Sequence, residues 1–307
     1  FRKFVAETFI DLGATLMMVE QFLNYLRYER GASPMTVQSY GEDLKAFEAY
    51  FNSLDNQLSW ESVDSDVIRM WMESMMDKGN TATSIKRRLS ALRSFYRFAL
   101  IRKKVTVNPA RVVKGPKTSR PLPQFLRESE MEKLLDDEEM WCADDYKDMR
   151  ARTIITLFYE TGIRLSELIG LDDSSVDLIG CYLKVLGKGN KQRVIPFGNR
   201  LKQTLEAYVE FRDGRVARTC DALFVTEKGE RMTAPMVREE VKKNISKVST
   251  LKKRTPHVLR HTFATAMVNH EAGIESVKKL LGHESIGTTE IYSHTTFEQL
   301  KRVYKQA

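Results

Sequence analysis

The sequence His257-Val258-Leu259-Arg260-His261 is the most informative stretch of this chain, and Leu281-Gly282-His283 and then Tyr292 follow it. These segments bring a guanidinium, imidazoles and a phenol into residues 257–292, without a metal-ligand pattern beside them. Cationic and imidazole groups can hold a phosphodiester, which a tyrosine oxygen can then attack. With Arg164 and Lys188 upstream, the set predicts an enzyme that cleaves and rejoins DNA.

Length and charge agree with this prediction. The 307 residues are too many for one ordinary domain and suit two. Hydrophobic residues make up 42% of the chain, which is enough for packed cores. Lysine and arginine outnumber aspartate and glutamate by 49 to 41, which gives a net charge of +8. This surplus favours an anionic partner, nucleic acid before membrane, although many basic soluble proteins bind no polyanion.

The cysteines and apolar runs bear on the compartment. Cys142, Cys181 and Cys220 are odd in number and far apart, so neither a zinc site nor a disulfide framework is indicated, and a cytoplasmic location is predicted. No apolar run approaches the roughly 18 residues of a membrane-spanning helix, so no membrane partner is expected. Residues 1–16 lack the apolar core of a secretion signal. We interpret residues 1–17 as an extra or non-native N-terminal extension.

Helical periodicity divides the remaining chain into two domains. Residues 18–112 contain four amphipathic helices and predict an all-helical domain. The segment from Arg111 to Arg127 has three prolines and five basic residues, and it predicts an extended linker at residues 113–127. Residues 128–307 are predicted to be mostly helical, with strands at Cys181–Leu186 and Arg193–Pro196 forming a small antiparallel hairpin.

The fourth predicted helix carries a basic stripe. Lys86, Arg93 and Arg97 lie at positions i, i+7 and i+11, which share one face of a helix. Such a stripe suits phosphates along a duplex groove. A solvated polar face is the other interpretation, and the sequence leaves both open.

Strand cleavage by transesterification needs a nucleophile, donors for the non-bridging oxygens and an acid for the leaving 5′ oxygen. Tyrosine is a poor nucleophile at its free pKa of about 10, but nearby cations favour its anion and an imidazole can take its proton. Two arginines can clamp the phosphorane because each presents a planar fork of donors. A lysine on the hairpin can reach the leaving oxygen.

Four segments resemble the catalytic boxes of tyrosine recombinases, the phage-integrase family. They are Thr161–Leu168 (TGIRLSEL), Gly187–Arg193 (GKGNKQR), Thr255–Phe263 (TPHVLRHTF) and Leu280–His283 with Tyr292. The N-terminal Tyr28–Pro34 (YERGASP) is similar to the core-binding domain of the Xer branch. The resemblance implies a mainly α fold. An all-α, SAM-like core-binding bundle would precede a mixed α+β, mostly helical catalytic domain with a small antiparallel sheet.

The resemblance also implies roles for the phosphate-binding residues. Arg164 and Arg260 match the two arginines that hold the scissile phosphate. His257 matches the histidine three residues before the second arginine, which assists proton transfer and phosphate binding. His283 matches a histidine or tryptophan position that bonds the phosphate.

The remaining roles concern the two ends of the broken bond. Tyr292 matches the nucleophile that forms a 3′-phosphotyrosyl bond, and Lys188 matches the hairpin lysine that protonates the 5′ hydroxyl. Lys191 competes with Lys188 for that role. Glu167 matches an acidic position that supports the arginines. His261 is interpreted as a packing residue or a residue behind the site.

The resemblance implies an assembly as well. A homo- or heterotetramer would bind paired double-stranded DNA recombination sites and pass through a Holliday junction, with neither metal nor other cofactor. The amphipathic C-terminal segment from Thr295 to Ala307 would dock cyclically on neighbouring protomers. Chromosome dimer resolution in cell division is the implied role, and a septal DNA translocase is an implied activator.

Three alternatives remain at this point. An integrase of a mobile element would share all four boxes. A catalytically silent DNA-binding or architectural protein would bind without cleaving. A type IB topoisomerase would relax supercoils without a defined site or a tetramer.

Overall fold

The computed structural model describes residues 17–118, 124–187, 192–269 and Leu281. The chain splits into two compact units, with the division between residues 121 and 122. Mainly helical structure with one small antiparallel sheet confirms the predicted fold class. In the part of the chain that the structure describes, no helix has both the length and the apolar character needed to span a membrane.

Four helices form the first unit. Helix α1 covers residues 17–24 and continues as a π-helical turn, Tyr25–Glu29; α2 is Pro34–Leu54, α3 is Ser65–Asp77 and α4 is Ala82–Ile101. Ser33 caps α2 by accepting from the Thr36 amide, and Pro34 occupies the first helical position as predicted. The core is aromatic, because Trp60 packs fully buried against rings of α2 and α4.

Both ends of the predicted linker pack against a unit. Val113 is buried in the core of the first unit, while Leu126 is buried in that of the second. The Leu126 amide donates to the Thr262 hydroxyl at 2.9 Å. Residues 119–123, which complete the predicted linker, lie outside the described residues.

The second unit surrounds helix α6. Its helices are α5 (Glu128–Asp136), α6 (Tyr146–Thr161), α7 (Leu165–Ile169), α8 (Asn199–Arg215), α9 (Ala234–Val248) and α10 (Pro256–Asn269). Helix α6 is buried over most of its length and packs against α8, α9 and α10, so it forms the centre of the core.

The sheet has three antiparallel strands in the order β1-β2-β3, namely Val176–Asp177, Tyr182–Leu186 and Gln192–Pro196. The predicted hairpin is therefore confirmed, and its last described pair is Leu186 with Gln192. The two-residue β1 was not predicted, since two residues carry no alternation signal.

Candidate functional site

The site is built around the turn that follows α6. Gly162 ends this helix in the left-handed conformation, with φ at 57°. An added Cβ would lie 2.4 Å from a Phe263 ring carbon and 2.8 Å from a Leu281 methyl, so glycine is required by both backbone and space. The turn brings the Gly162 carbonyl to α10, where the buried Arg260 guanidinium donates to it.

Arg260 is held from two sides. One nitrogen of its guanidinium donates to Gly162 and the other donates to the carbonyl of Leu281. Leu281 is itself buried, two residues before His283. Leu281 therefore lies beside the guanidinium, while His283 lies outside the described residues.

Arg164 lies two residues beyond the glycine turn and precedes α7. Its backbone amide donates to Glu167 Oε2 at 2.8 Å, and its guanidinium donates to Oε1 at 2.9 Å. The Glu167 side chain is only 2% exposed, so it serves as an internal anchor. This geometry agrees with the supporting role that the sequence suggested for Glu167.

A third arginine, which was not predicted from the sequence, joins the site. Arg193 of β3 donates to both Glu167 oxygens, at 2.6 Å and 2.9 Å. One carboxylate therefore serves two guanidinium groups, and Arg260 lies close enough for their charges to act on it. The available signal was the place of Arg193 in the strand, two residues before the fully buried Ile195 and so on the same face.

Electrostatics at this cluster favour an anion. Burial and then the charge of Arg164 lower the pKa of Arg260 to about 10, with Arg193 adding to the effect. Burial opposes ionisation of Glu167, yet hydrogen bonds from Arg193 and the Arg164 amide bring its pKa below the ordinary value. Three guanidinium groups around one carboxylate leave a positive excess that a phosphate can neutralise.

His257 lies one helical turn before Arg260, at the start of α10. Desolvation by the surrounding chain, followed by the charges of Arg260, His261 and Arg238, lowers its pKa. Its imidazole is therefore neutral at physiological pH and able to accept a proton. His261 is exposed, so it does not pack in the core, and its place behind the site stays a prediction. His257 and His261 lie one turn apart on the same face of α10, and both are exposed.

The predicted site residues thus fall into two groups. The structure brings together Arg164, His257 and Arg260. Lys188, its competitor Lys191, His283 and Tyr292 lie outside the described residues. Within those residues, no cluster of three or more histidine, cysteine, aspartate or glutamate side chains suits a metal ion.

The basic stripe of α4 divides as well. Arg93 is half-buried and donates to the carbonyls of Ala110 and Val113, which ties the following segment to the helix. These bonds give Arg93 a structural role, and its contact with phosphate stays a prediction. Lys86 and Arg97 are exposed, with Lys86 donating to the Thr118 hydroxyl at 3.0 Å.

Comparison with known proteins identifies the family. Residues 124–299 match the phage integrase family, and residues 19–103 match its N-terminal SAM-like domain. Tyrosine recombinase XerC of Vibrio vulnificus is 37% identical, over 94% of this chain and 90% of its own length. Tyrosine recombinase XerD of Oceanobacillus iheyensis is 35% identical, over 94% of this chain and 96% of its own length.

Solved structures share the fold. XerH bound to a palindromic difH substrate, a post-cleavage complex, aligns with a TM-score of 0.70 at 22% identity and covers 98% of this chain and 88% of its own. A lambda integrase dimer bound to a COC′ core site aligns with a TM-score of 0.66 at 20% identity, over 90% of this chain and 98% of its own. The chain belongs to the phage integrase family and is a site-specific tyrosine recombinase of Xer type, an enzyme that cleaves and rejoins DNA.

Proposed function

We propose that this recombinase cleaves DNA through Tyr292, which forms a 3′-phosphotyrosyl bond. Arg164 and Arg260 hold the non-bridging oxygens of the scissile phosphate. Lys188 protonates the departing 5′ oxygen, and His257 and His283 complete the proton transfer and the phosphate contacts. The same residues act in reverse when the 5′ hydroxyl of another strand attacks the tyrosyl ester, so the energy of each broken bond is kept.

The observation that carries this proposal is the pairing of Arg164 and Arg260 at one turn. Arg164 follows Gly162 in sequence, while Arg260 reaches the Gly162 carbonyl from α10. A phosphorane has more negative charge on its non-bridging oxygens than the ground-state diester has. Guanidinium groups fixed in advance therefore bind the transition state more strongly than the substrate.

His257 has a protonation state that suits its proposed role. Its lowered pKa keeps the imidazole neutral, so it can take the tyrosine proton as the phenol attacks. The positive cluster beside it would also favour the phenolate, because opposite charges nearby lower the pKa of a phenol.

A suicide substrate tests the chemistry. Duplexes that the protein binds are selected from a randomised library, and nicked versions are incubated with the protein in EDTA. We expect a covalent protein–DNA adduct from the wild-type chain and none from Tyr292→Phe, which should still bind DNA. An adduct that Tyr292→Phe also forms would exclude Tyr292 as the nucleophile. Binding without any adduct would instead favour an architectural protein.

We also propose a tetramer on paired recombination sites. A lambda integrase tetramer bound to a Holliday junction shares the fold, with a TM-score of 0.67 at 20% identity. In this chain, a pocket of about 410 Å³ lies between α5, α6 and α10. Its wall is apolar at Met131 and Phe263, and its rim carries Glu128, Glu132 and Asp136, of which Asp136 pairs with Arg200 at the start of α8.

That pocket complements the C-terminal segment. Phe297, Leu300 and Tyr304 recur at helical spacing there, and Lys301 and Arg302 add positive charge. We propose that this segment docks in the pocket of a neighbouring protomer, which would couple the delivery of Tyr292 to assembly.

Chromosome dimer resolution is the biological role that we propose, with a septal DNA translocase as activator. The many XerC and XerD relatives over nearly the whole chain support it. A plasmid excision assay separates this role from that of a mobile-element integrase. We expect excision between repeats of a chromosomal replication-terminus site. Excision only between the ends of a mobile element would assign the integrase role.

A further inference from the structure

Strand β3 carries an arginine on the face that looks into the core. Arg193 pairs across the sheet with Val185, which is 2% exposed, and it shares its face with the buried Ile195. A charge on such a face is costly unless a partner satisfies it. The partner here is Glu167, through two parallel hydrogen bonds of 2.6 Å and 2.9 Å.

This ion pair joins two parts of the site that are distant in sequence. Glu167 belongs to α7 and also holds Arg164, whereas Arg193 belongs to the hairpin whose turn contains Lys188. A bidentate guanidinium–carboxylate pair fixes direction as well as distance, because both groups are planar. The end of β3 nearest the turn is therefore fixed relative to the phosphate clamp.

Lys188 itself lies outside the described residues, between the end of β2 at Leu186 and the start of β3 at Gln192. Placement of Lys188 at the leaving oxygen therefore depends on the two strands that lead into the turn. Of these, β3 has the side chain that reaches the arginine site.

Arg164 depends less on this pair. Its backbone amide and its guanidinium both bond to Glu167 without involving Arg193. Removing the Arg193 guanidinium would leave the Arg164 anchor in place and free the hairpin. The effect should then fall on leaving-group protonation rather than on phosphate binding.

We infer that Arg193 is a positioning residue for strand cleavage, which acts by holding the Lys188 hairpin to Glu167. This inference rests on the role proposed for Lys188 above. Arg193 touches no reacting atom in this scheme; it determines where the general acid stands.

The experiment compares two leaving groups on the same suicide duplex. One duplex carries the ordinary 5′ oxygen at the scissile phosphate, and the other carries 5′ sulfur. A thiol has a pKa of about 8.5, so its thiolate leaves without help from an acid. Any variant whose fault lies in protonation should be rescued by sulfur, and a variant damaged elsewhere should not.

We expect Arg193→Met to slow cleavage of the ordinary duplex about 100-fold, as misplacement of a catalytic group typically does. On the sulfur duplex it should cleave within about tenfold of the wild-type rate, as Lys188→Ala should. DNA affinity should stay within about threefold, because no phosphate contact is removed. Glu167→Gln, which disturbs both Arg164 and the hairpin, should regain only part of its rate with sulfur.

Two controls separate positioning from general damage. Arg150→Met breaks another buried ion pair of the same unit, Arg150 with Glu240, and should show no leaving-group dependence. Arg193→Lys keeps the charge but loses the fork, and it provides the comparison if Arg193→Met does not fold; it should show a smaller deficit, also rescued by sulfur. An equal deficit on both duplexes, or wild-type rates on the ordinary one, would overturn the inference. If Lys188→Ala itself is not rescued, the proposed role of Lys188 fails instead.

Discussion

Gly162 decides how closely the two arginines approach each other. It ends α6 at positive φ, its α-carbon faces Phe263 and Leu281, and its carbonyl binds Arg260. We expect Gly162→Ala to lower the melting temperature and to reduce adduct formation at least tenfold, because left-handed strain of about 1–3 kcal/mol adds to the steric overlap. Thermal unfolding and the suicide assay measure both effects.

Gly214→Ala is the matched control for that substitution. Gly214 lies in α8 with open space around its α-carbon, so alanine there should leave adduct yield unchanged. Alanine in a helix is favoured over glycine by about 0.5–1 kcal/mol, so the control should be slightly more stable. A Gly162→Ala protein that behaves like this control would contradict the role of the turn.

The imidazole of His257 supplies a prediction about pH. Its folded-state pKa lies below 6.5, so the folded chain takes up this proton later than the unfolded chain as pH falls. As the pH falls through 6.5, the unfolded chain takes up this proton first, so the contribution of His257 to folding stability decreases. In the folded chain, the imidazole stays neutral until a lower pH. NMR titration should give a midpoint below 6.5, and Arg238→Gln should raise that midpoint by removing one repelling charge. A wild-type midpoint at or above 6.5 would contradict the electrostatic account.

Local sequence was sufficient for some of these residues and not for others. Arg164, His257 and Arg260 were predicted as site residues because they match the boxes of a known family, and the structure places Arg164 just before α7 and the other two in the first turns of α10. Arg193 stood inside a quoted box, yet its function depends on the register of β3 and on the distant Glu167. Strand alternation indicates the face on which Arg193 lies, but the helix that supplies its partner cannot be derived from the five residues of the strand.

At the scale of elements, α4 shows how a face that looks free in sequence becomes covered. Helical periodicity correctly placed Lys86, Arg93 and Arg97 on one stripe. It could not show that the chain returns after α4 and presents the carbonyls of Ala110 and Val113 to Arg93.

Substitutions along α4 should therefore separate stability from binding. Arg93→Ala should destabilise the first unit by about 1–3 kcal/mol, because two backbone carbonyls lose their donor. Lys86→Ala and Arg97→Ala should leave stability unchanged, lower DNA affinity and flatten its salt dependence. Chemical denaturation and filter binding at several salt concentrations test this. Equal losses of DNA affinity in all three variants, at unchanged stability, would support the prediction that all three residues contact phosphates.

Helix α6 carries a largely buried carboxyl group, that of Glu160, near its C-terminal end. Burial raises the pKa of Glu160 to about 7, against an ordinary value of 4.5. Because its folded-state pKa is raised, the contribution of Glu160 to stability is fully present below pH 4.5 and is lost as the pH rises through 7. Glu160→Gln should therefore raise the melting temperature at pH 8 and have little effect at pH 4. A stabilisation that does not depend on pH would show that the carboxylate is not desolvated.

At the scale of the whole molecule, the sequence predicted two units with different tasks. The division was predicted from the breaks in periodicity and from the prolines, which depend on local chemistry. The ends of the linker could not be predicted, because Val113 and Leu126 join their cores through contacts that are distant in sequence. The pocket between α5, α6 and α10 is also formed by tertiary packing, so it could not be predicted from any single segment of the sequence.

Removal of residues 296–307 tests the proposed assembly. The acidic and apolar pocket suits a basic amphipathic segment, so the deletion should spare binding to a single site but abolish tetramers on paired sites. Glu132→Lys should weaken tetramers through rim charge alone, because Glu132 is exposed, and Glu139→Lys, outside the pocket, is its control. Native gels report the assembly, and suicide duplexes on paired sites report which tyrosines act. Docking on a neighbour couples each Tyr292 to another protomer, so a deletion that left both synapsis and the pattern of active sites unchanged would refute the exchange.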